Sequence, residues 1–273
     1  MAVETIDGIL LLGWMERDEA LKYLCRESIF SPSMTERDAE RLWHRYRDAV
    51  RSLPEREPKM PVRLPLAKAE LHAARSFRNR HRTSPTILDV IKVDPFELMV
   101  HQLAIATGIS SEYEPKMTGK WWLEECILAE RRSQLVQKID AEGLHIELPH
   151  AEFLVAIEAN ATFAVTEHAN FVSVAKFEKR LVLTAGYHRS FAYIRAAGNA
   201  PDAMARSIVV ALTTDLPVQL SRASPNTGLR ATLAGPRPPL FCDFFDERLV
   251  MRVKLRKKRY EIFVHKREID IES

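Results

Sequence analysis

The sequence has few cysteines and glycines and lacks any long apolar run. Its three cysteines among 273 residues form no closely spaced pair, and an odd number of them argues against a disulfide framework. The apolar run over residues 9–14 is far too short to cross a bilayer. Glu4 and Asp7 precede it, so it lacks the positive start of a signal peptide. We therefore expect a cytoplasmic protein with no membrane partner.

Several catalytic and cofactor motifs are also missing. The sequence contains no Walker phosphate loop, no Rossmann glycine fingerprint and no serine-nucleophile elbow. Its charge is nearly balanced, with 40 Lys and Arg residues against 37 Asp and Glu residues and a net charge of +3. This balance argues against a nucleic-acid-binding protein that is basic throughout. It is compatible with local basic patches that could bind nucleic acid.

The spacing of apolar residues predicts an α+β fold in which a helical N-terminal half packs on a small mixed β-sheet. Helices are predicted over residues 18–25, 36–53, 66–80, 118–141 and 187–197. Strands are predicted over residues 86–93, 144–148, 153–157, 162–165, 171–177, 181–183 and 207–212, with residues 222–239 irregular and a closing hairpin formed by 249–255 and 260–265. Residues 96–106 are compatible with either a helix or a strand. We place a boundary near Gly143, which gives a mainly helical domain, 1–143, and an α+β domain, 144–273.

Residues 181–195 are the strongest candidate for a binding site. A short apolar strand ends at Gly186, and a helix then begins with Tyr187 and His188. The unpaired backbone N–H groups and the dipole of a helix N-terminus favour an anion at such a turn. The sequence therefore predicts a phosphate-type ligand here, although the same residues are also compatible with an ordinary helix start.

The residues of this turn have backbone and side-chain properties that suit the binding of a phosphate. Gly186 allows the backbone to turn tightly, and Arg189 offers a fork of donors that matches phosphate oxygens. His188 can donate a hydrogen bond or act as an acid or base, which makes it the candidate catalytic residue. Ser190 can add a hydroxyl donor or cap the helix. The predicted phosphate-binding residues are Gly186, Tyr187, His188, Arg189 and Ser190.

The pattern Gly-x-His-Arg-x-x-Ala-Tyr, formed by Gly186, His188, Arg189, Ala192 and Tyr193, resembles the ParB/sulfiredoxin-like superfamily. The resemblance covers residues 144–212. In that family the equivalent turn binds nucleotide phosphates: some members bind CTP, some use ATP for phosphoryl transfer, and some are described as nucleases. The resemblance implies a bacterial nucleotide- or phosphate-binding regulatory module, associated with DNA, with a nucleoside triphosphate and Mg²⁺ as its ligand.

The chain departs from that family at two places. Tyr187 occupies the position of the catalytic cysteine of sulfiredoxins, so their thiol chemistry should be absent. Residues 213–217 do not match the Glu-Asn-x-x-Arg motif that follows the next strand in the partition proteins. Phosphate binding is therefore expected, whereas catalysis stays open.

Two basic clusters are candidate nucleic-acid contacts. They comprise Arg78, Arg80 and Arg82 at the end of a predicted helix, and Lys257, Lys258 and Arg259 at the turn of the closing hairpin. Arginine and lysine side chains in such positions can contact a phosphate backbone. The alternatives are a solvated helix end for the first cluster and a lysine-rich edge that resists aggregation for the second.

Two further functions remain open at this point. The chain can be a non-catalytic interaction protein that binds a partner, or a second copy of itself, through Trp121 and Trp122 beside a vestigial site. It can also be a metal-dependent nuclease in which His188 acts with Asp215 or Asp243. No pair or cluster of residues has the spacing of a metal site, so no metal ligand is predicted.

Overall fold

The computed structural model describes residues 4–30, 33–57, 59–84, 86–111, 113–114, 128, 136–140, 143–148, 153–157, 163–167, 171–197, 202, 204–214, 227–256 and 260–264. The chain divides into two compact units, one of residues 1–129 and 171–256 and one of residues 130–170 and 257–273. Gly143, where the sequence predicts a boundary, lies within the second unit. No helix of the described residues is long and apolar enough to span a bilayer.

The described strands are β1 (Thr5–Leu10), β2 (Ser28–Ile29), β3 (Ile87–Val93), β4 (Met99–Val100), β5 (Ala104–Ile105), β6 (Val136–Asp140), β7 (Gly143–Leu148), β8 (Phe153–Ile157), β9 (Phe163–Glu167), β10 (Ser173–Phe177), β11 (Arg180–Ala185), β12 (Ile208–Thr213), β13 (Met251–Arg256) and β14 (Tyr260–Val264). The α-helices are α1 (Arg17–Lys22), α2 (Glu36–Arg51), α3 (Lys68–Arg80), α4 (Thr107–Ser111), α5 (Tyr187–Ala196) and α6 (Thr227–Ala234). A π-helical turn (Tyr23–Glu27) follows α1, and 3₁₀ turns occur at Leu12–Trp14, Pro95–Glu97 and Phe241–Phe245.

The first unit contains two sheets. One is antiparallel, with the order β2-β13-β1-β5, and the other is mixed, with the order β3-β12-β10-β11-β4. The α+β prediction is therefore confirmed. The finer prediction, a helical half packed on one sheet, is not confirmed, because the first 143 residues also supply strands β1 to β6.

The helix α5 connects two strands of the mixed sheet, β11 and β12. β10 and β11 form an antiparallel hairpin, α5 follows, and the chain returns as β12, which pairs in parallel with β10. The inward face of α5 buries Phe191 and Ile194, and the Phe191 ring stacks on Phe245 at 4.9 Å between centroids. The predicted strand, glycine turn, helix and return strand are thus confirmed, and their apolar faces are part of one large core.

Local signals account for several helices and strands. Thr35 caps α2 by accepting a hydrogen bond from the Asp38 backbone N–H at 3.2 Å, and the helix ends shortly before Pro54. Asp94 caps the following 3₁₀ turn in the same way, with Pro95 in its first position. The predicted strand over 86–93 and both predicted hairpins, 153–165 and 171–183, are confirmed.

The second unit is built from antiparallel strands. β14, β7 and β6 form a three-stranded sheet in that order, and β8 and β9 form a separate hairpin. The prediction of a helix over residues 118–141 is wrong at its end, because Val136–Asp140 pairs with β7 as β6. The β-branched Val136 and Ile139 suit a strand, and Gly143 begins the partner strand instead of ending a helix. Residues 118–127 lie outside the described residues.

The predicted closing hairpin is also wrong. β13 pairs with β1 and β2 in the first unit, whereas β14 pairs with β7 in the second unit. Val253, which faces inward from β13, is buried, and the apolar end of β1 next to it is buried as well. Burial of the apolar end of β1 and of Val253 provides a driving force for the observed pairing.

A third correction concerns residues 222–239, which the sequence predicts to be irregular. Thr227–Ala234 forms the two-turn helix α6, and its Leu233 is buried. Thr227-Gly-Leu-Arg-Ala-Thr-Leu-Ala contains leucine and alanine at helix-compatible positions. The sequence did not indicate this helix, because Pro225, Gly235 and Pro236 flank it closely and Gly228 lies in its first turn.

Candidate functional site

Gly186 sets the geometry of the turn between β11 and α5. Its φ of 86° and ψ of 25° lie in the left-handed region, where an L-residue with a Cβ is strained. A Cβ built on Gly186 would lie 2.8 Å from the Cα of Val172 and 2.6 Å from its Cγ2. Glycine is therefore required both by the backbone conformation and by the close approach of the neighbouring chain.

Tyr187 is a buried structural anchor. Its hydroxyl donates to the Leu183 carbonyl at 2.6 Å and accepts from the backbone N–H groups of His101 and Gln102 at 3.0 Å and 3.2 Å. Burial raises the pKa of the Tyr187 phenol well above its ordinary value. Tyr187 thus joins the start of α5 to the segment between β4 and β5, and its hydroxyl is already fully used.

Replacing Tyr187 with Phe should lower the free energy of unfolding by about 2 kcal/mol, because one buried carbonyl and two buried N–H groups would lose their partner. Thermal or urea unfolding of the variant measures this change. Tyr46→Phe is the control, since its half-buried hydroxyl donates only to the Val250 carbonyl at 3.1 Å. We expect about 1 kcal/mol or less for that variant. Equal losses in the two variants would contradict the role assigned to Tyr187.

His188 holds α5 against the segment that leads into α4. Its Nε2 accepts a hydrogen bond from the Ala106 backbone N–H at 3.3 Å. A nitrogen that accepts this bond carries no proton, so the neutral ring has its proton on Nδ1. The nitrogen that faces Ala106 is therefore engaged in positioning α5.

Arg189 and Ser190 are the most deeply buried polar residues of the turn. Arg189 is 2% exposed and Ser190 is 1% exposed. A guanidinium in such a position requires acceptors around it, and it adds to the positive potential of the α5 N-terminus. The Ser190 hydroxyl has no hydrogen-bond partner among the described residues. A buried hydroxyl without a partner is costly, and a ligand or an ordered water normally accounts for one.

Two further buried polar groups near the turn had no signal in the sequence. The His101 ring contacts the Tyr187 ring edge-on at 5.7 Å, and burial lowers the pKa of the His101 imidazole. Ser110 is fully buried in α4, which packs on α5. Within the described residues, His101 Nε2 and Ser110 Oγ have no hydrogen-bond partner. No motif marks either residue, because only the fold brings β4, β5 and α4 next to α5.

The first basic cluster lies on the surface at the end of α3. The Arg78 guanidinium is 3.4 Å from the Asp89 carboxylate, and its side chain is 59% exposed. Arg80 donates to the Ser76 hydroxyl at 3.0 Å and lies over the Phe77 ring, and Arg82 is exposed. The structure thus places all three arginines where a large partner can reach them.

The second basic cluster, Lys257, Lys258 and Arg259, lies outside the described residues. The cations of β13 before it share one face, as the alternation predicts. Two of them are paired, Arg252 with Glu247 and Lys254 with Asp7. These ion pairs leave β13 less basic than its sequence indicates.

Asp243 is part of the framework in the described structure. Its carboxylate is 3% exposed and binds both terminal nitrogens of Arg56 at 2.6 Å. Within the described ranges, no group of three or more His, Cys, Asp or Glu side chains is arranged to hold a metal ion. Asp215, Trp121 and Trp122 lie outside those ranges. No described contact therefore favours the nuclease or the tryptophan-mediated interaction.

Comparison of the chain with protein-family models, with curated proteins and with solved structures finds no match.

Proposed function

We propose that this chain binds a phosphate-bearing ligand, of the nucleotide class, at the N-terminus of α5, and that it acts as a regulatory binding module. The observation that carries the proposal is the Ser190 hydroxyl, which is buried in the first turns of α5 without a partner among the described residues. The left-handed Gly186 supports the proposal, because it begins the helix without a side-chain cap. The ParB-like pattern over residues 186–193 is the reason to choose nucleotides.

The physical basis of the proposal is the positive potential that the helix N-terminus and a buried arginine create together. The helix dipole places partial positive charge at the first turn, and the buried guanidinium of Arg189 adds a full charge. Hydrogen bonds from such groups to a phosphate are charge-assisted and strengthen where water is excluded. Ser190 would donate its hydroxyl proton to a phosphate oxygen, and Mg²⁺ would arrive with the nucleotide.

The substitution Ser190→Ala is expected to weaken ligand binding without changing the stability of the fold. The variant removes a hydroxyl that has no described partner, so we expect the free energy of unfolding to change by no more than about 0.5 kcal/mol. A lost hydrogen bond to a charged phosphate costs about 1.5–3 kcal/mol, which corresponds to a weakening of about ten-fold or more. Isothermal titration calorimetry with ATP, CTP, GTP and UTP, each with MgCl₂, and with pyrophosphate measures the affinities.

Ser28→Ala is the matched control. Ser28 lies in β2, is 4% exposed, and also has a hydroxyl without a partner among the described residues. Its variant should bind every ligand as the wild type does. The proposal fails if the wild type binds none of these ligands, or if Ser190→Ala and Ser28→Ala bind with equal affinity.

A further inference from the structure

The exposed face of α3 carries a regular stripe of polar and basic residues. Successive spacings of four, three and four residues put its members on one side of the helix. The stripe consists of Lys68, His72, Arg75 and Asn79, all exposed, and it continues into the exposed Arg82 just beyond the helix. The opposite side of α3 buries Ala73, Ala74 and Phe77. The stripe therefore lies on the helix face opposite the core.

The exposed charges of the segment that contains α3 are of one sign. Every exposed Lys, Arg, Asp or Glu between residues 61 and 84 is a cation: Arg63, Lys68, Arg75, Arg78, Arg80 and Arg82. The only acid of that segment, Glu70, is partly buried and accepts from Lys92 at 2.9 Å and 3.1 Å. Asp89 lies beside Arg63 and Arg78 at the flank of α3. A concentrated positive surface thus occurs on a chain whose net charge is only +3.

The shape and length of α3 fit one kind of polyanion. From Lys68 to Arg80, the two ends of α3, the helical rise covers about 18 Å, and a DNA strand presents one phosphate every ~3.4 Å of axis. A helix of about 10–12 Å diameter fits the major groove of B-form DNA, which is about 12 Å wide. The major groove of A-form RNA is too narrow for side chains to read.

We infer that α3 is a DNA-binding helix that places its exposed stripe in the major groove of a duplex. Arg75, Arg82 and Lys68 contact phosphates on either side of the groove. His72 and Asn79 lie between these cations and present hydrogen-bonding groups to the base edges, as Asn does to adenine. This surface is distinct from the turn at Gly186, and it binds DNA whether or not a nucleotide is present.

The test is fluorescence anisotropy of a labelled 20-base-pair duplex titrated with the full chain, at several salt concentrations and without nucleotide. The variant is R75Q/R82Q, which removes two exposed cations. Loss of two phosphate contacts should make the negative slope of log K against log salt shallower by about 1.8. We also expect the affinity for the duplex at low salt to fall about ten-fold or more. The matched control is K22Q/R37Q, which removes two exposed cations from α1 and α2 and changes the net charge equally.

The two double variants give opposite outcomes if the inference is right. The control should bind the duplex as the wild type does, and circular dichroism and Tm should show both variants folded. Equal affinity of R75Q/R82Q and the control overturns the inference, whether both bind well or both bind poorly. The inference is also overturned if the wild type binds an RNA duplex or a single strand of the same length more tightly than it binds the DNA duplex.

Discussion

Gly186→Ala is expected to lower the free energy of unfolding by about 3 kcal/mol. An L-residue in the left-handed region costs about 1–2 kcal/mol. The added Cβ would also stand 2.8 Å from the Val172 Cα, and overpacking of this kind costs about 1–3 kcal/mol. Because the close contact involves backbone, it cannot be relieved by a change of rotamer. Urea unfolding or calorimetry measures the loss, which corresponds to a fall in Tm of about 6–12 °C.

Gly235→Ala provides the control for this prediction. Gly235 follows α6, its φ is not in the left-handed region, and a Cβ there would lie 3.2 Å from its nearest neighbour. We expect a change of about 1 kcal/mol or less at this position. If Gly186→Ala were no more destabilising than Gly235→Ala, the close packing of the turn against Val172 would be wrong, and the phosphate proposal would lose its geometric basis.

The parts of the fold that could be predicted are those whose signals are local. Thr35 and Pro54 mark the two ends of α2, because capping and ring sterics act within a few residues. The charged turn at Glu178 separates two apolar strands, and its φ of 53° is the left-handed conformation that closes the hairpin. In each case the sequence neighbours are also the spatial neighbours, so the pattern alone was sufficient.

The pairing of β13 could not be predicted in the same way. Met251–Arg256 has a strand pattern, and another strand follows it after a short basic turn, so a hairpin was the simplest interpretation. The partner is Thr5–Leu10, with Gly8 opposite Val253. Neither strand sequence identifies the other as its partner. Which strands pair depends on how much apolar surface each pairing buries in the complete fold.

The candidate site shows the same division between local and distant causes. The glycine turn and the helix start at Tyr187 were predicted from adjacent residues. The burial of the Tyr187 hydroxyl depends on the His101 and Gln102 amides, which belong to a segment for which the sequence did not decide between helix and strand. The engagement of His188 by Ala106 has the same origin. Sequence could therefore locate the turn, but it could not identify Tyr187 and His188 as residues that position α5.

A second distant contact joins a polar loop to the 3₁₀ turn near the C-terminus of the first unit. Arg56 lies in the proline-rich segment after α2, whose composition indicates a loop or an extended connector. Its guanidinium instead binds the Asp243 carboxylate at two points of 2.6 Å and the Pro238 carbonyl at 2.8 Å. The Arg56 side chain is 19% exposed and that of Asp243 is 3% exposed. Asp243 also accepts from the Leu240 N–H at 2.7 Å.

Arg56→Ala should lower the free energy of unfolding by about 3–5 kcal/mol, because it leaves the Asp243 carboxylate buried without its counter-charge. The control, Arg248→Ala, breaks a similar two-point pair with Asp246. There the arginine side chain is 79% exposed, and because solvent screens an exposed ion pair the loss should be only a small fraction of that for Arg56→Ala. Asp243→Leu made together with Arg56→Met removes both charges, so part of the stability lost in Arg56→Ala should return. Equal losses for Arg56→Ala and Arg248→Ala would show that burial does not strengthen the first pair.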